Sequence, residues 1–383
     1  MPVVLHLIET LGHGGAEEQL ALCVGALDPQ RFQSVVVQLG GERSLAARIE
    51  EVGVPTFDLR APRRRAAVPY ALWRLLELCR RVRPALIHTS LFEADLVGGI
   101  AASRLGAPVV TTLCTLGGDD LQLQDNPNTN VLKHRLMTDL WGRSLRAHGR
   151  RLIAISRAAE LSAIRHFGVD PSRIEVIYRA ATLRSSLAPS EARVRLALRG
   201  DPLILTVGRL VPEKGQRYLI EAMPRVLAAL PSARLYVAGK GPLERELVDL
   251  ARAKGVSESV FFLGYRSDVN DLLAACDLFV FPSLWEGLGV ALVEAVGMGR
   301  PCIATSVGAM PEIVEHERTG LLVPPRDARS LAEAIVRLGT DRRLSASLAS
   351  AASAVARERF DLARITRRIE AVYDRALAEA RGG

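Results

Sequence analysis

Lysine is scarce in this chain. Only Lys133, Lys214, Lys240 and Lys254 occur among its 50 basic residues, so 46 are arginine. The five cysteines, Cys23, Cys79, Cys114, Cys276 and Cys302, are scattered, odd in number and without CxxC spacing. That pattern excludes a zinc ribbon and points to free thiols in a reducing compartment. Aromatic residues make up 5% and do not interleave with the arginines, so a stacking platform for nucleic acid is missing. The longest stretch without a charge, residues 105–118, is too short to span a bilayer. Glu9 interrupts the apolar N-terminal run and no basic residue precedes it, so no leader peptide is expected. Asp-x-Asp is absent, and the adjacent Asp119 and Asp120 would point apart in extended backbone, so no metal site is expected.

What the chain does have is length and a globular composition. At 383 residues, 49% hydrophobic and 24% charged, it exceeds one ordinary core, and two domains are the natural reading. The net charge of +8 is uneven: residues 1–200 carry +7 and the remainder +1. Basic clusters fall at Arg63-Arg64-Arg65, at Arg80, Arg81 and Arg83, and at Arg143, Arg146, Arg150 and Arg151. These are either solvated surface or a patch for anionic headgroups or a phosphorylated acceptor.

Short apolar runs alternate with helical periodicity from end to end. Strands are expected at residues 3–8, 34–39, 86–89, 109–113, 152–155 and 174–178, then at 203–207, 234–238, 260–263, 278–281, 302–305 and 321–323. Helices are expected at 71–81, 218–230 and 331–338, with an amphipathic one at 362–380. Such alternation implies parallel sheets covered on both faces, in two Rossmann-like halves. The seam falls between Arg179 and Gly200, giving domains 1–185 and 186–361, with residues 362–383 added to the first.

Ligands of open α/β sheets bind beyond the carboxyl ends of the strands, and each motif here follows a strand. Gly208-Arg209-Leu210-Val211-Pro212-Glu213-Lys214-Gly215 places two of the chain's cationic side chains together; Arg209 and Lys214 suit a diphosphate. Gly239-Lys240-Gly241-Pro242 and Gly12-His13-Gly14-Gly15 permit close approach of backbone to a ligand, or are ordinary turns. Pro282-Ser283-Leu284-Trp285-Glu286-Gly287-Leu288-Gly289-Val290 runs on to Glu294. Eight helical steps of about 100° would leave Glu286 and Glu294 within roughly 80° of each other, so both face one cleft. Carboxylates suit sugar and ribose hydroxyls, and a glycine-flanked helix start suits phosphate.

Taken with Gly299-Arg300-Pro301, Gly308-Ala309-Met310-Pro311-Glu312 and Gly320-Leu321-Leu322-Val323-Pro324, this ordered set resembles glycosyltransferase family 4, the retaining, metal-independent group with the GT-B fold. The resemblance covers nearly the whole chain and is strongest from Leu203 to Asp327. It implies two Rossmann-like domains facing each other across a cleft, with the last helix crossing back to the first domain. It also implies a nucleoside diphosphate-sugar donor on the C-terminal domain, a carbohydrate or lipid-linked hydroxyl acceptor on the N-terminal one, and no cofactor. In that scheme Arg209 and Lys214 hold the diphosphate, and Glu294 the ribose. Glu286 with the backbone N–H groups of Leu288, Gly289 and Val290 holds the sugar, while Gly14, Gly15, Gly239 and Gly241 line the donor.

Two places depart from the family pattern. Cys114 stands where many relatives have a histidine, which leaves His88 on the preceding strand as a possible catalytic imidazole. Val176-Ile177-Tyr178-Arg179-Ala180-Ala181 stands where relatives commonly have a Pro-Asn-Gly turn. The expected activity is transfer of a hexosyl group in polysaccharide or glycolipid assembly, in the cytoplasm or at the inner face of its membrane. The alternatives are a nucleotide-sugar epimerase and a non-catalytic nucleotide-sugar-binding protein. Donor base, sugar, acceptor and linkage are not encoded in any of these motifs.

Overall fold

The computed structural model describes residues 1–62, 67–114, 116, 131–147, 150–180 and 187–382. Arg63, Arg64, Arg65, Asp119, Asp120 and Ala181 lie outside the described residues. Two compact units result. The first takes the described residues up to Ala180 and again from Leu362; the second takes the described residues between.

Seven parallel strands form the first unit: β1 (Val3–Ile8), β2 (Gln33–Gln38), β3 (Thr56–Asp58), β4 (Leu86–Ser90), β5 (Val109–Leu113), β6 (Arg150–Ala154) and β7 (Ile174–Val176). Their spatial order is β3-β2-β1-β4-β5-β6-β7. Because side chains alternate across a strand, Leu5 and Leu7 of β1 pack under the helices Ala67–Val82 and Phe92–Leu105. Val4 faces the opposite layer, where the helix Leu362–Gly382 supplies Ile365, Ile369, Val372 and Tyr373. Both faces are covered, which is why the strands read as continuous apolar runs.

Six parallel strands form the second unit: β8 (Leu203–Val207), β9 (Arg234–Ala238), β10 (Val260–Gly264), β11 (Leu278–Phe281), β12 (Cys302–Thr305) and β13 (Leu321–Val323). They are ordered β10-β9-β8-β11-β12-β13. In each unit the order reverses beside the first strand, at β1/β4 and at β8/β11, and it is beyond the carboxyl ends at such switch points that open α/β sheets bind ligands.

All twelve expected strands are present, within a few residues at their ends. The thirteenth, β3, escaped notice because it is an edge strand of three residues, Thr-Phe-Asp, with no apolar run. The basic cluster near residue 150 is corrected. Arg150 is not a surface charge: it pairs at 2.6 Å with Asp95, and the two side chains are 3% and 0% exposed. Asp95 also accepts from Thr89, Thr111 and Trp141 Nε1 at 2.8, 2.7 and 3.1 Å, so both oxygens of the buried carboxylate are hydrogen-bonded. Arg146 donates to the Phe167 carbonyl and Arg151 pairs with Glu379.

Candidate functional site

The crevice at β8/β11 gathers three of the sequence motifs. The loop after β8 makes a short 3-10 turn at Pro212–Lys214 and ends at Gly215, whose φ of 61° suits glycine. A side chain there would overlap the carbonyl of Pro282, so Gly215 lets the loop lie flat on the one that follows β11. The Leu284 N–H then donates to the Glu213 carbonyl at 2.8 Å. The two loops are thus joined through their backbones before any side chain is considered.

Between them Lys214 Nζ forms an ion pair with Glu286; both side chains are 17% exposed. The ammonium also lies 5.6 Å from the centre of the Phe281 ring, within reach of a cation–π attraction. Arg209 is 68% exposed and pairs with Glu213 at 3.0 Å, while its carbonyl accepts from Gln216 Nε2 at 2.9 Å. Three buried side-chain atoms in these loops, Gln216 Oε1, Ser283 Oγ and Trp285 Nε1, have no hydrogen-bond partner. Orphaned polar atoms are uncommon in protein interiors, and these three fall in the same stretches of chain as Lys214 and Glu286.

The helix Val290–Gly297 starts at Gly289, whose φ of 78° and lack of a capping side chain leave the first N–H groups open. A Cβ on Gly289 would stand 2.9 Å from both Met310 Cε and Phe281 Cε1. Glu286 therefore sits at the strand-to-helix turn, as its place between an apolar strand and a helix-forming stretch predicts, and only the count of helical steps between it and Glu294 is corrected. Glu286 is positioned instead by its backbone, whose carbonyl accepts from Ala309 N–H at 3.3 Å. Glu294 is half-buried one turn into the helix. Gly308, which sequence reasoning did not single out as a site residue, packs directly on the Glu286 backbone at a φ of 49°. Its signal was its place just after β12, at the same sheet edge.

Gly239 and Gly241 are also required by the packing of their own loop. A side chain on either would run into backbone of the loop after β8, the Gly208 carbonyl for Gly239 and the Leu210 carbonyl for Gly241. They serve loop-on-loop packing, supported by Leu210 N–H donating to the Lys240 carbonyl at 3.0 Å.

In the first unit, Gly14 and Gly15 open the helix Gly15–Val24, again with no capping side chain. The Glu17 carboxylate lies over Gly14, where a side chain would otherwise stand. His88 is drawn into the interior and does not present a free nitrogen: Nδ1 is 2.6 Å from Tyr373 Oη and Nε2 is 2.7 Å from Thr112 Oγ1. Burial pushes its pKa down to about 4. We therefore read His88 as holding the terminal helix to the sheet, in correction of the catalytic role considered for it. Burial raises the thiol pKa of Cys114, partly offset by the guanidinium of Arg179. Among the described residues no group of three His, Cys, Asp or Glu side chains is placed to hold a metal. Nor is any helix of the described residues long and apolar enough to cross a membrane.

Known proteins match this arrangement. The family model for glycosyl transferases group 1 matches residues 201–341, and that for glycosyltransferase family 4 matches residues 13–184. An Escherichia coli UDP-Gal:alpha-D-GlcNAc-diphosphoundecaprenol alpha-1,3-galactosyltransferase is 27% identical over 72% of this chain and 71% of its own length. A D-inositol 3-phosphate glycosyltransferase of Rhodococcus jostii is 30% identical over 70% of this chain, and the match spans 61% of that relative. Among solved structures, Anabaena HepE in complex with UDP-glucose superposes with a TM-score of 0.84, at 25% identity, over 97% of this chain and 99% of HepE.

Proposed function

The chain belongs to glycosyltransferase family 4, with the GT-B fold, and from that premise we propose a transfer from a nucleoside diphosphate-sugar to a hydroxyl acceptor. The observation that carries this reading is the pairing of Lys214 with Glu286 between two joined loops at the β8/β11 switch point. The second unit is the donor domain in this reading and the first is the acceptor domain. Lys214 and Arg209 neutralise the diphosphate as it leaves, stabilising charge that grows along the reaction. Glu294 takes the ribose hydroxyls and Glu286 the hydroxyls of the transferred sugar. The open N–H groups of Leu288, Gly289 and Val290 complete that cradle; the uncapped helix start at Gly14 and Gly15 is a second place suited to phosphate.

Departure of the nucleoside diphosphate leaves an oxocarbenium-like carbon. The acceptor hydroxyl attacks on the face just vacated, giving its proton to a donor phosphate oxygen, so the anomeric configuration is kept. No metal is needed, because two cationic side chains supply the neutralisation. UDP is the first nucleotide to try, since HepE is seen with UDP-glucose. An acceptor that carries phosphate is favoured, since the two relatives named above act on a diphosphoundecaprenol-linked sugar and on inositol 3-phosphate. Peripheral contact with the cytoplasmic face of a membrane, in glycolipid or polysaccharide assembly, fits the positive charge of residues 1–200.

The test is release of free nucleoside diphosphate from UDP- and GDP-sugars, with and without phosphate-bearing acceptors. Acceptor-dependent release with retained configuration supports the proposal. Isomerised donor without acceptor would indicate an epimerase, and binding without turnover a non-catalytic protein; either outcome overturns it.

A further inference from the structure

The two places where the first unit departs from the family pattern touch each other. Arg179, just beyond β7, and Cys114, just beyond β5, line one small cavity, with the guanidinium near enough to the thiol to offset part of the effect of burial on it. The backbone around Arg179 is held on both sides. Ile177 N–H donates to the Ala154 carbonyl at 2.9 Å, and Gln19 Nε2 donates to the Ala180 carbonyl at 2.5 Å. The residue is half-buried, yet it makes no ion pair with the carboxylate of any described residue. The Glu17 carboxylate acts on the same thiol from a distance, and a guanidinium taken partly out of water without a close counter-ion is unfavourable. A thiol is too weak an acceptor to make up the difference.

Behind Arg179 and Cys114 lies a cavity of about 60 Å³, also lined by His6, Gln19, Ser90 and Thr112. His6 and Gln19 are 2% and 7% exposed, and His6 Nδ1 and Gln19 Oε1 have no hydrogen-bond partner. The volume is far below the roughly 300 Å³ at which small-molecule pockets begin. The body of any ligand therefore stays at the sheet edge, and only a small polar group reaches the orphaned atoms.

We propose that Arg179 is a specificity residue of the first unit that receives the phosphate of a phosphate-bearing acceptor, with Cys114 as the small neighbour that leaves it room. This rests on the acceptor reading given above and adds the residue that makes the selection. The sulfur leaves guanidinium donors available, and a planar fork matches two phosphate oxygens at once.

The probe is inorganic phosphate, titrated calorimetrically into full-length protein. Because Arg209 and Lys214 would bind phosphate too, the background is the Arg209→Gln/Lys214→Gln variant. Phosphate should still bind there, and adding Arg179→Gln should weaken it by about tenfold or more, with Arg179→Lys intermediate. Unchanged affinity in Arg179→Gln, or loss of all phosphate binding in the background variant alone, overturns the inference. The second outcome would assign the anion site to the donor loops only. A parental urea midpoint and circular dichroism spectrum certify that the Arg179→Gln single variant is folded, and UDP binding within about twofold of the parent shows that the donor loops in the other unit are undisturbed. UDP failing to bind even the unmodified protein would instead sink the reading beneath. Should Arg179→Gln not fold, Arg179→Lys alone decides: a parental phosphate affinity there overturns the claim.

Discussion

Lys214 and Glu286, 72 positions apart, form a partly buried ion pair that joins the loop after β8 to the loop after β11. The pair holds a cation and an anion together at one point of the second unit, and in the proposed reading each binds a different group of the donor. Lys214→Ala should therefore weaken nucleoside diphosphate binding by about tenfold or more. Glu286→Gln should leave that affinity within about threefold while erasing the preference for sugar nucleotide over plain nucleotide. Titration calorimetry with UDP and a UDP-sugar reads both. If the two variants lose affinity for both ligands alike, the division of labour is wrong.

Glu294 is half-buried one turn into its helix, among Leu292, Val293 and Ala295, which are buried. A carboxylate hydrogen-bonded to two ribose hydroxyls contributes on the order of 1.5–3 kcal/mol, so Glu294→Ala should raise the Kd for UDP at least tenfold. Affinity for the free base-lacking probe, pyrophosphate, should not change. Equal UDP affinity in the variant removes Glu294 from the site.

Two left-handed glycines separate backbone strain from loop packing. Gly215 and Gly255 have φ of 61° and 69°, but a side chain on Gly215 would overlap the Pro282 carbonyl, whereas Gly255 faces open space. Gly255→Ala should cost about 1–2 kcal/mol from φ alone. Gly215→Ala should cost more and also weaken UDP binding, because it pushes the two site loops apart. Urea unfolding of both variants, with UDP titrations, checks this; equal losses would mean the loop contact contributes nothing.

Acid should destabilise the first unit through its buried imidazoles. His88 is pushed down to about 4 from 6.5, and His6, 5.5 Å away, is lowered well below 6.5 by burial and by His88. The folded state binds fewer protons than the unfolded one between these values. The stability is therefore fully present above pH 6.5 and falls as pH drops toward 4, by roughly 3 kcal/mol from His88. Urea midpoints from pH 7.5 to 4.5 should decline, and His88→Gln should flatten the decline. A slope identical in that variant would show that other groups are responsible.

Twelve of thirteen strands were legible because strands covered on both faces must be apolar on both, and such runs stand out from helical periodicity. β3 did not, since an edge strand of three residues buries too little to leave a pattern. The loop residues Arg209, Lys214 and Glu286 were legible as types, two cations and a carboxylate beside glycines. How Glu286 is held was not, because the supporting contacts come from Gly308 and Ala309 after another strand. Arg150 shows the same limit. As a letter it belongs with a run of surface arginines, and only the arrival of Asp95 from a distant helix turns it into a buried partner.

Local order of residues determined the alternation of strand and helix, the parallel sheets and the placement of charged loops at strand ends, because periodicity and glycine act over a few residues. Tertiary structure alone decided which glycines face neighbouring backbone and that His88 closes on Tyr373. It also decided that Arg179 lies beside Cys114 with no carboxylate of the described residues paired to it. Those outcomes depend on which side chains converge from distant strands, and burial and charge compensation exist only once they have converged.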